Sequence, residues 1–155
     1  MSGTVTGMPQ ISCHSPLGAL TISEEDGRIV ALDWGWGRDQ VESPLLVKAK
    51  DILERYFDGK EVDSAELFYA PFGTPYQQRV WQELLRIPYG ETRTYAQIAA
   101  LAGGSARSVG GAVGANPVPI LIPCHRVVGS HGLGGYSGVG GLEDKRMLLT
   151  LERCV

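Results

Sequence analysis

The spacing of apolar positions divides the chain into two unlike halves. Residues 11–14, 19–23 and 29–34 are short runs that read as strands. Ser15-Pro16-Leu17-Gly18 forms a turn after the first, and Asp26-Gly27 carries a tight-hairpin signal before the third. Leu45, Leu46, Ala49, Ile52, Leu53, Tyr56 and Phe57 then recur at helical spacing, behind Ser43 as N-cap and Pro44 at the first helical position. Gly59 stops that helix, and residues 67–69 read as a further short strand. The break at Ala70-Pro71-Phe72-Gly73 predicts two domains, 1–70 and 71–155.

Helices dominate the second half. Thr74, Pro75 and Gln77 predict a capped start, with Tyr76, Val80, Trp81, Leu84 and Leu85 on the buried face. Thr94 and Gln97 form a second capping box, opening a short helix with Ile98, Ala99 and Leu101 inward. Gly103-Gly104 turns the chain, and Ser105 caps another helix that runs to Asn116-Pro117. Helix, glycine turn, helix is the helix-turn-helix pattern. The last helix starts near Leu142 and buries Met147, Leu148 and Leu151.

Two stretches break these patterns. Ala106, Gly110, Gly111, Ala112, Gly114 and Ala115 nearly strip the second helix of the pair of side chains. Each interior glycine costs about 1 kcal/mol against alanine, so close approach to a surface or a neighbour is the expected reason. Arg107 projects near its start, either toward a groove or simply into solvent. The other stretch is residues 120–128, an apolar run that reads as a buried strand ended by Pro123 and followed by Cys124, His125 and Arg126. A thiol beside an imidazole suits an activated thiolate, although a lone cysteine in an apolar segment also serves as a small core residue. Neighbours on a strand face opposite ways, so a turn or a bridging water must join Cys124 to His125. A glycine-dominated, wing-like loop follows.

Charge sharpens the division. Residues 1–70 carry 6 Lys/Arg and 12 Asp/Glu, whereas residues 71–155 carry 8 and 5. No acidic residue lies between Thr92 and Leu142, while Arg93, Arg107 and Arg126 do. That favours an anionic partner bound in a salt-sensitive way. Three widely spaced cysteines form neither a Cys-x-x-Cys pair nor a disulfide framework, and they suit a reducing cytoplasm. No apolar run approaches a membrane span, and the first ten residues show no secretory signal. Trp34, Trp36, His14 and Cys13 read as packing residues.

The motif Pro-Cys-His-Arg-Val at 123–127 resembles the signature of the 6-O-alkylguanine-DNA alkyltransferases, the methylated-DNA–protein-cysteine methyltransferases. The likeness runs in order from Gly73-Thr74-Pro75-Tyr76-Gln77 through Val80-Trp81, Ile87-Pro88-Tyr89-Gly90, Thr94-Tyr95, Arg107-Ser108-Val109-Gly110, Asn116-Pro117 and Gly135-Tyr136 to Lys145. It implies an α/β N-terminal ribonuclease-H-like domain and a mainly α C-terminal winged helix-turn-helix domain. It also implies direct-reversal DNA repair: irreversible, single-turnover transfer of an alkyl group from oxygen-6 of guanine to Cys124. Oxygen-4 of thymine is a further candidate substrate. The resemblance further implies that the base is flipped from the minor groove. In this resemblance His125, oriented by Glu152, removes the thiol proton through water, and Asn116 holds the turn beside Cys124. Tyr95 and the Ser137 backbone N–H meet the guanine, the carbonyls of Cys124 and Val127 take its exocyclic amine, and Arg107 fills the vacated stack. The expected partner is double-stranded DNA containing alkylated guanine, met by a monomer, with no membrane, cofactor or metal.

Two other classes stay open on the residues alone. A Cys-His-Glu hydrolase predicts many turnovers, and a non-catalytic DNA-binding regulator predicts no adduct on Cys124. Cys124, His125, His131 and Cys154 lack the spacing of a zinc site.

Overall fold

The structure, a computed structural model, describes residues 9–136 and 140–154. Strands β1 (Gln10–Cys13), β2 (Leu20–Glu25) and β3 (Arg28–Trp34) form an antiparallel sheet in that order. Asp26 and Gly27 both take positive φ, 52° and 75°, as a tight hairpin requires. Helix α1 (Pro44–Phe57) covers one face of the sheet and buries Leu46, Ala49, Ile52, Leu53 and Tyr56. Its first turn is closed by Ser43, whose side chain accepts from the Leu46 N–H. The expected strand at 67–69 reduces to one parallel bridge between Tyr69 and Ile29.

In the other half, α2 (Pro75–Leu85), α3 (Tyr95–Ala102) and α4 (Ala106–Gly114) pack on one another, each behind a complete capping box. The box at Ser105 is closed by Ser108. Gly103 and Gly104 turn between α3 and α4 at φ 91° and 80°, a region that glycine enters without strain. Trp81 is buried, as expected, and its indole N–H donates to the Ala112 carbonyl at 2.8 Å, pinning α4 to α2. Leu101, expected inward, is 66% exposed. α3 has only eight residues, and its inward face is already filled by Ile98 and Ala102.

Residues 120–122 are buried, but they are not a strand. The chain from Pro117 to Pro123 is a series of turns, with Ile120 at φ 73°. A β-branched residue there is an outlier that surrounding structure must hold. Asn116 supplies that hold: its Nδ2 donates to the Ile122 carbonyl (2.9 Å) and its Oδ1 accepts from the Val118 N–H (3.0 Å). Residues Cys124–Arg126 form a 3-10 turn. Strand β5 (Val127–Val128) then pairs in parallel with β4 (Arg93–Thr94), which sets the start of α3 beside the 3-10 turn. Helix α5 (Gly141–Leu151) packs against that turn and delivers Glu152 at its C-terminal end.

Candidate active site

The 3-10 turn replaces the strand geometry that would have pointed Cys124 and His125 apart. His125 and Arg126 face inward to a buried polar cluster, and Cys124 forms part of a cavity wall. At the centre of the cluster is Glu152. Its Oε2 lies 2.6 Å from His125 Nε2 and accepts from the Tyr56 hydroxyl at 2.5 Å. Its Oε1 accepts from Arg126 Nε (2.9 Å) and the Gly90 N–H (3.0 Å). A carboxylate at a helix C-terminus opposes the helix dipole; four donors give it another place in the molecule.

These bonds fix protonation. Burial pushes the Glu152 carboxyl upward, but its partners, His125 and Arg126 first, outweigh that and hold it at about 2. An ionised carboxylate only accepts, so His125 carries its proton on Nε2. Burial lowers the imidazole's affinity for a second proton, against the pull of Glu152. The lone pair therefore sits on Nδ1, which is buried and has no partner among the described residues. Burial likewise pushes the Cys124 thiol up, opposed by Asn116 and by the charge of Lys145. The thiol needs a base, and a lone pair stands one residue away.

Arg126 is not the anion-facing charge that the acid-free stretch suggested. It is buried, tied to Glu152, and donates from Nη1 to the Ile87 carbonyl at 2.8 Å. Arg93 is paired with Glu91 at 3.1 Å. Arg107 is exposed, and it lines the mouth of the cavity.

The cavity measures about 560 Å³, within the usual range for small-ligand sites. Tyr95, Tyr136 and Cys124 meet Gly110, Val113 and Gly114 of α4 around it. The small residues of α4 thus have two uses: Ala112 packs inward on Trp81, while Gly110 and Gly114 leave the wall bare. The glycine loop closes the far side, where the Gly135 N–H reaches the Tyr95 hydroxyl at 3.3 Å. The Tyr136 hydroxyl is buried without a partner among the described residues. Lys145 donates to the carbonyls of Val127 (2.6 Å) and Gly135 (3.0 Å), binding loop to core. Burial brings its ammonium down to about 8, against the opposing influence of Cys124.

The structure therefore brings together Cys124, His125, Glu152 and Asn116, with Tyr95 and Arg107 on the cavity. The Val127 side chain is buried off the cavity and its carbonyl is engaged by Lys145, which leaves one lone pair. Ser137 lies outside the described residues. Nothing in the local sequence patterns assigns a role to Tyr56, Tyr136 or Lys145. A lysine among the buried positions of α5, and a phenol ending the apolar stripe of α1, were the available signals.

Comparison with known proteins decides the family. The ribonuclease-like domain of 6-O-methylguanine DNA methyltransferase matches residues 10–68, and the DNA-binding domain of the same family matches residues 75–154. The chain belongs to the 6-O-methylguanine DNA methyltransferase family. The constitutive methylated-DNA–protein-cysteine methyltransferase of Bacillus subtilis is 44% identical, over 92% of this chain and 93% of that protein. The methylated-DNA–protein-cysteine methyltransferase of Methanosarcina barkeri is 42% identical, over 90% and 93%. The crystal structure of Mycobacterium tuberculosis OGT in complex with DNA superposes with a TM-score of 0.78, at 41% identity over 93% of this chain and 92% of that one. Membership brings the family's activity, DNA repair by transfer of an alkyl group to a protein cysteine, with DNA as the partner. No helix among the described residues is long and apolar enough to cross a membrane.

Proposed function

We propose that Cys124 is the alkyl acceptor and that it acts once. The observation that supports this most is a thiol on the cavity wall followed directly in the chain by a buried imidazole whose Nδ1 has no partner among the described residues. His125 Nδ1 takes the thiol proton through a bridging water, while its Nε2–H stays on Glu152. The thiolate attacks the alkyl carbon. The S–C bond forms, the C–O bond to oxygen-6 breaks, and the electron pair leaves with guanine. His125 returns its proton to water and guanine regains one, so the net proton passes from thiol to base. A thioether has no route back, so one protein repairs one lesion.

The bare wall of α4 fits a minor-groove approach, and the cavity receives a base swung out of the duplex. A damaged, weakly paired base costs less to extrude, which supports selectivity for alkylated guanine. Arg107 at the mouth occupies the vacated stack. Tyr95 donates to the guanine oxygen as charge develops there. The second lone pair of the Val127 carbonyl and the Ser137 N–H complete the recognition, and Asn116 preserves the turn that presents the sulfur. Two domains, 1–70 and 71–155, divide the work at the Pro/Gly break. Every group named belongs to one chain, so a monomer suffices. Free Cys13, Cys124 and Cys154 suit a reducing cytoplasm.

Counting turnovers tests the reading. With methylguanine duplex in excess, repair stops at one methyl per protein. Continued turnover would instead support a Cys-His-Glu hydrolase.

A further inference from the structure

Tyr56 ends the buried stripe of α1, in the half of the chain that does not carry Cys124. Its hydroxyl crosses to the other half, donating to Glu152 Oε2 at 2.5 Å and lying 3.3 Å from His125 Nε2. Two further bonds join the halves beside the site. The Leu32 N–H donates to the Pro117 carbonyl (2.9 Å), and Ser64 Oγ donates to the Leu121 carbonyl (2.6 Å). The N-terminal half therefore grips the turn that presents Cys124 and also reaches its acid–base network.

We propose that Tyr56 is a positioning residue for alkyl transfer: its O–H, placed on the carboxylate oxygen that holds His125, sets how readily Nδ1 takes the Cys124 proton. This rests on the reading of His125 as the base. Glu152 Oε2 serves two donors, the phenol and the imidazole. Charge withdrawn by the phenol is charge unavailable to stabilise an imidazolium. Tyr56 thereby keeps His125 neutral, with its lone pair free, at a pH where an unopposed buried carboxylate would favour the protonated ring. Burial and the adjacent Glu152 keep the phenol protonated, so it is a constant donor. The charged groups facing His125 are Glu152 and Lys145 from α5 and its C-terminus, and Arg126 from its own turn. Tyr56 faces it from α1, and Tyr89 packs behind Tyr56, with ring centroids 6.0 Å apart. The proton taken from Cys124 goes to Nδ1 alone; neither Glu152 nor Tyr56 changes protonation.

Tyr56→Phe keeps the ring and deletes only the donor. Single-turnover methyl transfer measured against pH should show the acid limb moved up by about one unit, hence about tenfold slower on that limb, and convergence with the native rate at alkaline pH. Imidazole nitrogen NMR should show Nδ1 protonating at correspondingly higher pH. Tyr69→Phe removes another phenol donor of the same half, one that bonds the Ser64 carbonyl at 2.7 Å, and should leave the profile in place. If Tyr56→Phe does not fold, 3-fluorotyrosine at position 56 keeps the bond, strengthens the donor and should move the limb down. An unmoved limb and an unmoved NMR transition in the modified protein overturn the proposal. His125→Asn separates the two layers. Should it leave transfer and its pH profile unchanged, the base assignment falls and Tyr56 with it. Should it remove the acid limb while Tyr56→Phe leaves that limb in place, only the role of Tyr56 falls.

Discussion

The two sides of Cys124 are built on opposite principles. Behind it, His125, Glu152, Arg126 and Tyr56 are buried and bonded to one another, with Glu152 accepting four hydrogen bonds. In front, α4 offers Gly110 and Gly114, and the loop offers Gly135 and a Tyr136 hydroxyl with no partner among the described residues. The back is bonded together before any substrate arrives, with His125 Nδ1 alone of its ring nitrogens left without a partner among the described residues. The front is left unfinished, so that a base can complete it. Preorganised dipoles in a buried region need no rearrangement during reaction, whereas a receiving surface needs space more than bonds.

Glu152→Ala should break the back most severely. It strands Arg126 and His125 in the core, with a loss of about 3–5 kcal/mol expected from denaturant unfolding and a collapse of the transfer rate. Acid should reach the same network more gently. Glu152 is held at about 2, below its ordinary value, so the stability it contributes is complete above about pH 4.5 and declines as pH falls toward 2. His125, whose proton affinity is lowered by burial, adds destabilisation once pH drops below its ordinary range near 6.5. An unfolding free energy flat from pH 7 to pH 3 would contradict this.

The front should respond in the reverse sense. Gly110→Ala places a Cβ at ordinary contact distance, 3.9 Å, from the Tyr95 ring. It should raise stability by about 1 kcal/mol through helix propensity, yet slow transfer about tenfold by occupying the cavity wall. A variant both more stable and fully active would show that the bare wall is not for substrate. Arg107→Ala should leave the melting curve unchanged. It should lower duplex affinity, reduce the salt slope by about 1, and spare transfer from a single strand, where no stack is vacated. Leu101→Gln should be the mildest, within about 0.5 kcal/mol, because that side chain is largely in solvent.

The same contrast explains what the sequence disclosed. The hairpin at Asp26-Gly27, the caps at Ser43, Thr74, Thr94 and Ser105, and the stripe of α1 follow from local rules, and they stand where those rules place them. Cys124 and His125 were legible as a pair. Their geometry was not, because apolar content from 120 to 122 signals burial without saying strand or turn, and Asn116 dictates the turn through bonds spanning up to six residues. Arg126 counts toward an anionic partner in the sequence because Glu152, the carboxylate that neutralises it, is 26 residues away. Tyr56 is 96 residues from Glu152, and no periodicity encodes that meeting.

The most direct measurement is peptide mapping by mass spectrometry after the protein meets a methylguanine duplex. One methyl group should appear on the peptide holding Cys124, with none on Cys13 or Cys154, and none anywhere in Cys124→Ser. Repaired DNA with an unmodified Cys124, or a methyl on another cysteine, would contradict the assignment of the acceptor.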